Sequence, residues 1–216
     1  PGRFHQPRVD LAERLVERQL VVLRVRDRPR GQEDLRRGFV HRWGVGFRDR
    51  DGGRPLAGDA EANLQAVPRK QRAMIRKGIR NGLRAEIDSS VDRFFELYAD
   101  NVHRHGTPPF AKAYFARLVE VFGADCEVLI VTTGDRRPVS GVLSFCFRDE
   151  VLPYYAGDTI DARDLAANDF KYWELMRRAC ERGLRVFDYG RSKVGTGSYD
   201  FKKNWGFEPV PLAYEY

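Results

Sequence analysis

The sequence predicts a mixed α/β domain, with helices packed on one mixed sheet, and three observations carry that prediction. Two helical periodicities run together between residues 91 and 122, the period then drops to two over three apolar stretches, and an amphipathic segment at 168–183 precedes further strands. With 216 residues the chain can bury one full core, so one principal domain is expected.

Taken in order, residues 59–81 read as a basic helix carrying Arg69, Lys70, Arg72, Arg76, Lys77 and Arg80, with Pro68 restricting where it begins and Asn81-Gly82 as its stop. Val91, Phe94, Phe95 and Tyr98 fall at i, i+3, i+4 and i+7, one apolar helix face preceded by Ser89 or Ser90 as a cap. Tyr114, Leu118, Val121 and Phe122 repeat that spacing. Residues 128–133, 139–147 and 151–155 then read as consecutive antiparallel strands, with a turn at Gly134-Asp135. The helix at 168–183 aligns Trp173, Met176 and Cys180 on one face and ends at Gly183. A strand at 185–189, a short helix at 198–205 and a last strand at 210–216 complete the order ααβββαβαβ that follows the basic helix.

Residues 1–58 stand apart. The first 60 residues carry 14 arginines, no lysine and 9 acids, with an apolar stretch at 20–25 and little periodicity, whereas the remainder holds 24 basic and 22 acidic residues. The segment reads as a basic arm, the remnant of a preceding lobe, or foreign sequence of the kind an out-of-frame GC-rich gene yields. Residues 59–216 form the expected catalytic lobe.

A net charge of +7 invites a nucleic-acid reading, because phosphate neutralisation releases counterions. The excess lies mostly in the N-terminal segment, which weakens that reading for the lobe itself. No stretch of about 18 apolar residues exists to span a bilayer, and the N-terminus lacks the apolar core of a secretory signal, so a soluble, cytoplasmic protein is expected. Cys126, Cys146 and Cys180 are odd in number, sit in apolar stretches and lack zinc-ligand spacing, as reduced core thiols do. His103 and His105 suit the negative end of a helix better than a metal pair, and no metal is expected.

Several motifs carry a family resemblance over residues 59–216. RKQRAMIRKGI (69–79) looks like the basic helix opening the second lobe of FemAB-type transferases. FDYGRSK (187–193) followed by YDFKKNWGFE (199–208) resembles that family's strand, loop and Phe-Lys helix, and HGTPPF (105–110) brings the chain nearest to the FemAB proteins associated with the PEP-CTERM/exosortase system. The resemblance implies a GNAT-like fold and transfer of an activated acyl or aminoacyl group to an amine of a peptidoglycan or exopolysaccharide-related envelope precursor. Family members have two GNAT-like lobes, and this chain has length for one complete lobe.

Acyl transfer to an amine passes through a tetrahedral oxyanion, which needs a cation or N–H donors and a route for the ammonium proton. Lys202 is the candidate cation, the role the resemblance also implies; as an alternative it is a solvated neighbour of Lys203. Asp188, at a strand end before Tyr189 and Gly190, either orients the amine and takes its proton or pairs with Arg191. Gly195-Thr196-Gly197-Ser198 offers backbone N–H groups beside Arg191, Ser192 and Lys193 for a phosphate or carboxylate, or is an ordinary turn with a Ser cap. Tyr154, Tyr155 and Tyr189 are candidate substrate contacts; Phe201 is a substrate contact or, with Trp205, a core anchor. Arg69, Arg72 and Arg76 are candidate contacts to a tRNA donor or an acceptor diphosphate.

The segment Gly157 to Asp164 holds Asp158, Asp161 and Asp164 against one Arg163, a poor cradle for pyrophosphate. That disfavours acetyl-CoA and leaves aminoacyl-tRNA, or another acyl carrier, as the co-substrate the resemblance suggests, with no tightly bound cofactor. Two alternatives stay open: a coenzyme A-dependent GNAT N-acetyltransferase, and a basic nucleic-acid-binding module whose affinity falls with salt and survives Lys202→Ala.

Overall fold

The computed structural model describes residues 45–48, 54–56 and 59–211. Its spine is a six-stranded sheet in the order β2-β7-β6-β5-β4-β3, where β2 is Arg54–Pro55, β3 Arg84–Asp88, β4 Cys126–Thr132, β5 Pro138–Phe147, β6 Glu150–Asp158 and β7 Val186–Phe187. All neighbours are antiparallel except β6 and β7, which the long helix α6 (Ala167–Glu181) joins as a parallel pair. A second sheet has the order β8-β1-β9, from β8 (Arg191–Ser192), β1 (Val45–Arg48) and β9 (Glu208–Pro211). The mixed α/β class read from the sequence is what the chain folds into.

The expected helix over 59–81 divides in two, α1 (Ala60–Ala66) and α2 (Arg69–Arg80). Val67 and Pro68 are extended between them, at ψ 137° and 145°, because a proline forces its predecessor out of the helical region. Asp59 caps α1 by accepting from the Ala62 N–H. Helix α3 (Asp92–Arg104) has Val91 at its N-cap, not Ser89 or Ser90 as expected; Ser90, one residue further out, accepts through Oγ from the Asp92 N–H. In α4 (Lys112–Phe122) the buried face is Tyr114, Phe115 and Leu118; Val121, expected on that face, is exposed. Periodicity alone left the width of the stripe open by one position.

Strand β3 was not legible. Its sequence RAEID has one strong strand former, yet it pairs residue for residue with β4 from Arg84↔Thr132 to Asp88↔Val128. A polar edge strand is recruited by its neighbour's free backbone and needs no apolar alternation of its own. Strands β1 and β2 fall inside the segment set apart at 1–58, and they pair with β8, β9 and β7 from the other end of the chain. The apolar stretch at 20–25 and the end of the expected last strand, 212–216, lie outside the described residues.

Two apolar layers sandwich the large sheet. On β4, Leu129 and Val131 face α1, α2, α6 and the short helix α7 (Gly197–Asn204), whereas Val128 and Ile130 face α3 and α4. Helix α3 sits so close to β6 that a Cβ on Gly157 would lie 2.4 Å from the backbone of Leu97 and Tyr98, so only glycine fits there. Within α6, Trp173 and Met176 are buried as expected, while Cys180 lies at the rim and accepts from Asn63 Nδ2. All three cysteines are free thiols.

Candidate active site

Strands β6 and β7 pair only at Glu150↔Val186 and Val151↔Phe187; the Asp188 N–H still reaches Val151 O at 3.0 Å, and then the strands part. The resulting wedge has Pro153, Tyr154 and Tyr155 on one arm and Asp188, Tyr189 and Gly190 on the other. The register slips between Leu143↔Tyr155 and Ser144↔Pro153, which makes Tyr154 the extra residue of a β-bulge and turns the strand at the mouth of the wedge. On the opposite arm Gly190, at φ 68°, reverses the chain, a conformation that favours glycine.

Lys202 comes to this wedge from α7. Thr196, not Ser198, caps that helix by accepting from the Tyr199 N–H. Trp205 is fully buried just beyond it and donates through Nε1 to Asp169 at 3.0 Å, while Phe201 packs on Tyr172. So fixed, Lys202 is 9% exposed and its Nζ donates to Arg191 O at 2.8 Å, whereas Lys203 beside it is exposed. The solvated-neighbour reading therefore does not hold for Lys202. Burial brings its ammonium down to about 8, with the nearby Asp188 carboxylate pulling the other way. Asp188 is 1% exposed and accepts from the Gly190 N–H at 2.7 Å.

Ser192 is buried, and its Oγ has no hydrogen-bond partner among the described residues; Arg191, Lys193 and Gly195 are exposed along the rim. Tyr189, read from the sequence as a substrate contact, is 2% exposed and packed among Phe187, Phe207 and Tyr172. It acts as a core residue that fixes the strand carrying Asp188.

Across the wedge, Tyr155 shares a hydroxyl hydrogen bond of 2.9 Å with Tyr114, and its ring meets Tyr98, Phe110 and Phe115 edge-on. Burial holds the Tyr155 hydroxyl far above the ordinary tyrosine range. Phe110, the last residue of HGTPPF, is an exposed aromatic on this wall. The sequence marked that segment only through resemblance, and the alignment of Tyr98, Tyr114 and Phe110 around Tyr155 was out of its reach.

The β6–α6 loop is less acidic in its surroundings than its own residues suggest. Asp158 and Asp161 are not an unneutralised acidic pair: Lys171, with no exposed surface, reaches Asp158 at 2.8 Å, Ser140 also donates to it, and Arg137 reaches Asp161 at 2.7 Å. The Arg137 guanidinium and the Thr159 hydroxyl hold the Asp161 carboxyl down at about 2. The two cations come from α6 and the β4–β5 turn and the serine from β5, all outside the loop. Part of the loop's own backbone is occupied as well. The turn of helix α5 (Ala162–Leu165) runs directly into α6, the N–H groups of Ala162, Leu165 and Ala166 are spent on loop carbonyls, and Ala166 and Ala167 at the helix start are buried.

Arg69, Arg72 and Arg76 lie apart from the wedge on α2, which contains no acid. Arg69 and Arg76 are exposed, and Arg72 donates to the Gln65 side chain and carbonyl. The helix packs along α6 through Gly78, whose Cβ position is 2.9 Å from Phe170, and begins at Pro68, beside Gly206 at the end of the Lys202 segment. His103 and His105 end α3, with His105 Nδ1 at 2.6 Å from Asn101 O. Among the described residues no group of three potential ligands could hold a metal, and no helix is long and apolar enough to cross a membrane.

Comparison with known proteins bears on this geometry. The model of the acetyltransferase (GNAT) domain matches residues 69–203. A UDP-N-acetylmuramoylpentapeptide-lysine N(6)-alanyltransferase of Weissella viridescens is 24% identical over 135 residues, 61% of this chain and 40% of that protein, so the chain spans less than half of its relative. Among solved structures, a crystal structure of FemX superposes with a TM-score of 0.66 at 16% identity, covering 89% of this chain and 66% of that one. The C-terminal domain of a putative lysylphosphatidylglycerol synthetase from Agrobacterium fabrum gives 0.53 at 16% identity, covering 78% and 58%. At such identities these likenesses speak for the fold. Because the domain match runs over 69–203, more than half of the chain, and takes in the wedge, α6 and Lys202, this chain carries an acyltransferase domain and belongs to the acetyltransferase (GNAT) family.

Proposed function

We propose that residues 45–211 are the catalytic lobe of a Fem-type N-acyltransferase, which moves an activated acyl or aminoacyl group onto an amine of a cell-envelope precursor. The observation that carries the reading is Lys202, a buried lysine held on Arg191 O beside Asp188 at the mouth of the β6–β7 wedge. A cation fixed in a desolvated site stabilises an oxyanion more than a solvated one does, because little reorganisation accompanies the reaction. The incoming amine attacks the carbonyl of an acyl ester, charge collects on that oxygen near Lys202, and collapse expels the carrier's alkoxide, which takes up a proton. Asp188 orients the amine and receives the proton it sheds.

The relative from Weissella viridescens, named for alanylating the lysine of a UDP-N-acetylmuramoyl pentapeptide, supports a peptidoglycan precursor as the acceptor. The β6–α6 loop, whose N–H groups at Ala162, Leu165 and Ala166 are spent on its own carbonyls, supports a donor other than acetyl-CoA, and the exposed arginines of α2 suit a polyanionic carrier such as aminoacyl-tRNA. In this reading Tyr154, Tyr155, Arg191, Ser192 and Lys193 line the acceptor path, Gly195 leaves room at its rim, and the reaction takes place in the cytoplasm. The resemblance to exosortase-associated FemAB proteins extends the acceptor class to exopolysaccharide-related precursors.

The test is binding and turnover with the present chain. Calorimetry against charged tRNA, uncharged tRNA and acetyl-CoA is expected to show preference for the charged tRNA; saturable acetyl-CoA binding instead would overturn the donor assignment. Transfer should fall by roughly 100-fold or more in Lys202→Met with circular dichroism unchanged. Turnover should also decline as pH rises through about 8, where Lys202 loses its proton. A Lys202→Met chain that keeps full turnover would remove the lysine from the mechanism.

A further inference from the structure

We infer that strand β1, from the N-terminal segment that sequence reading sets apart, is the positioning element for Lys202. The lysine sits in a cassette of three consecutive pieces, β8 (Arg191–Ser192), α7 (Gly197–Asn204) and β9 (Glu208–Pro211). Neither β8 nor β9 belongs to the six-stranded sheet. Each instead pairs antiparallel with β1, which is the middle strand between them: Val45↔Ser192 and Gly46↔Arg191 on one side, Val45↔Pro211 through Arg48↔Glu208 on the other. One strand of four residues thus gathers both ends of the segment that carries the lysine.

The coupling to the site is direct. Arg191, whose backbone pairs with Gly46, is the residue whose carbonyl accepts from Lys202 Nζ at 2.8 Å. A two-residue strand with one ladder neighbour has no means of its own to aim that carbonyl, since an isolated strand pair is marginal even at greater length. Strand β2 adds a second tie nearby, pairing with β7 immediately before Asp188, with the Leu56 N–H on Arg185 O at 2.7 Å. Residues 45–48 and 54–56 thereby brace both backbone segments that present the Lys202 and Asp188 pair. The lysine's chemical role is the one proposed above; its positioning can be read on the lysine itself, without turnover.

Two measurements test this on the full chain. In wild type, native-state hydrogen exchange across a urea series should show the amides of 45–48 and of 191–211 opening together, at lower urea than those of β4 to β6. Separate opening of the two segments would overturn the inference. In Gly46→Pro, which puts a residue without an N–H into a central strand, exchange in 191–211 and labelling of Lys202 by an amine-reactive ester should each rise roughly tenfold or more, with β4 to β6 still protected. A folded Gly46→Pro chain in which Lys202 stays as slowly labelled as in wild type would equally overturn it. If that variant loses protection everywhere, the wild-type series decides alone. Full transfer activity in a Gly46→Pro chain whose Lys202 labelling has risen would count against the catalytic reading and leave the positioning intact.

Discussion

The two faces of the large sheet are built on different principles. Against α3 and α4 the layer is apolar and aromatic, with Phe94 stacked on Tyr98, Phe115 edge-on to both and to Tyr155, and Gly157 letting the helix backbone rest on the strand. Against α6 and α7 the layer takes in charge: Lys171, Lys202 and Asp188 are buried there, and Asp169 lies half-buried under Trp205. Burying charge costs stability unless every charge finds a partner, so a fold concentrates it where it has a use. The contrast teaches that one face holds the domain together and the other has accepted a penalty around its wedge.

The largest effect should come from breaking the charged face at its most buried point. Lys171→Met leaves Asp158 without its cation and should cost about 3–5 kcal/mol in urea unfolding. Adding Asp158→Asn should recover at least half of the loss, whereas a double variant no better than the single one would show that packing, not charge pairing, is at stake. On the apolar face, Gly157→Ala should cost about 3 kcal/mol, because α3 has to retreat from β6 along its length.

A smaller effect sharpens the comparison through pH. Burial raises the Asp169 carboxyl to about 6, against the pull of the Trp205 hydrogen bond. A raised carboxyl binds its proton more tightly when folded than when unfolded. Its contribution is therefore fully present below pH 4 and lost as pH climbs through 6, by at most about 3 kcal/mol. Asp169→Asn should flatten the change in urea midpoint between pH 4 and 6.5, and an unchanged slope would assign the dependence elsewhere. The smallest effect is expected at Tyr155→Phe, which removes one hydroxyl hydrogen bond to Tyr114 for about 1 kcal/mol and leaves the rings packed.

Much of this layout was legible in residue order. Helices α3, α4, α6 and α7 and strands β4 to β6 followed from periodicities of 3.6 and 2, and Lys202 stood out because YDFKKNWGFE resembles a known Phe-Lys helix. What escaped was whatever depends on a partner remote in sequence. Strand β3 is polar and exists through pairing with β4, and β1 exists through pairing with β8 and β9. The acidic β6–α6 loop was misjudged because Lys171 and Arg137, which neutralise it, lie outside it in sequence.

The amino-acid sequence by itself determined the α/β class, the apolar faces and the residue types able to handle an acyl group, since these follow from local spacing and side-chain chemistry. Only the tertiary structure decided which charges are buried and with whom. It made Lys202 a desolvated cation beside Asp188, because desolvation and pairing are properties of the surroundings that distant strands and helices supply.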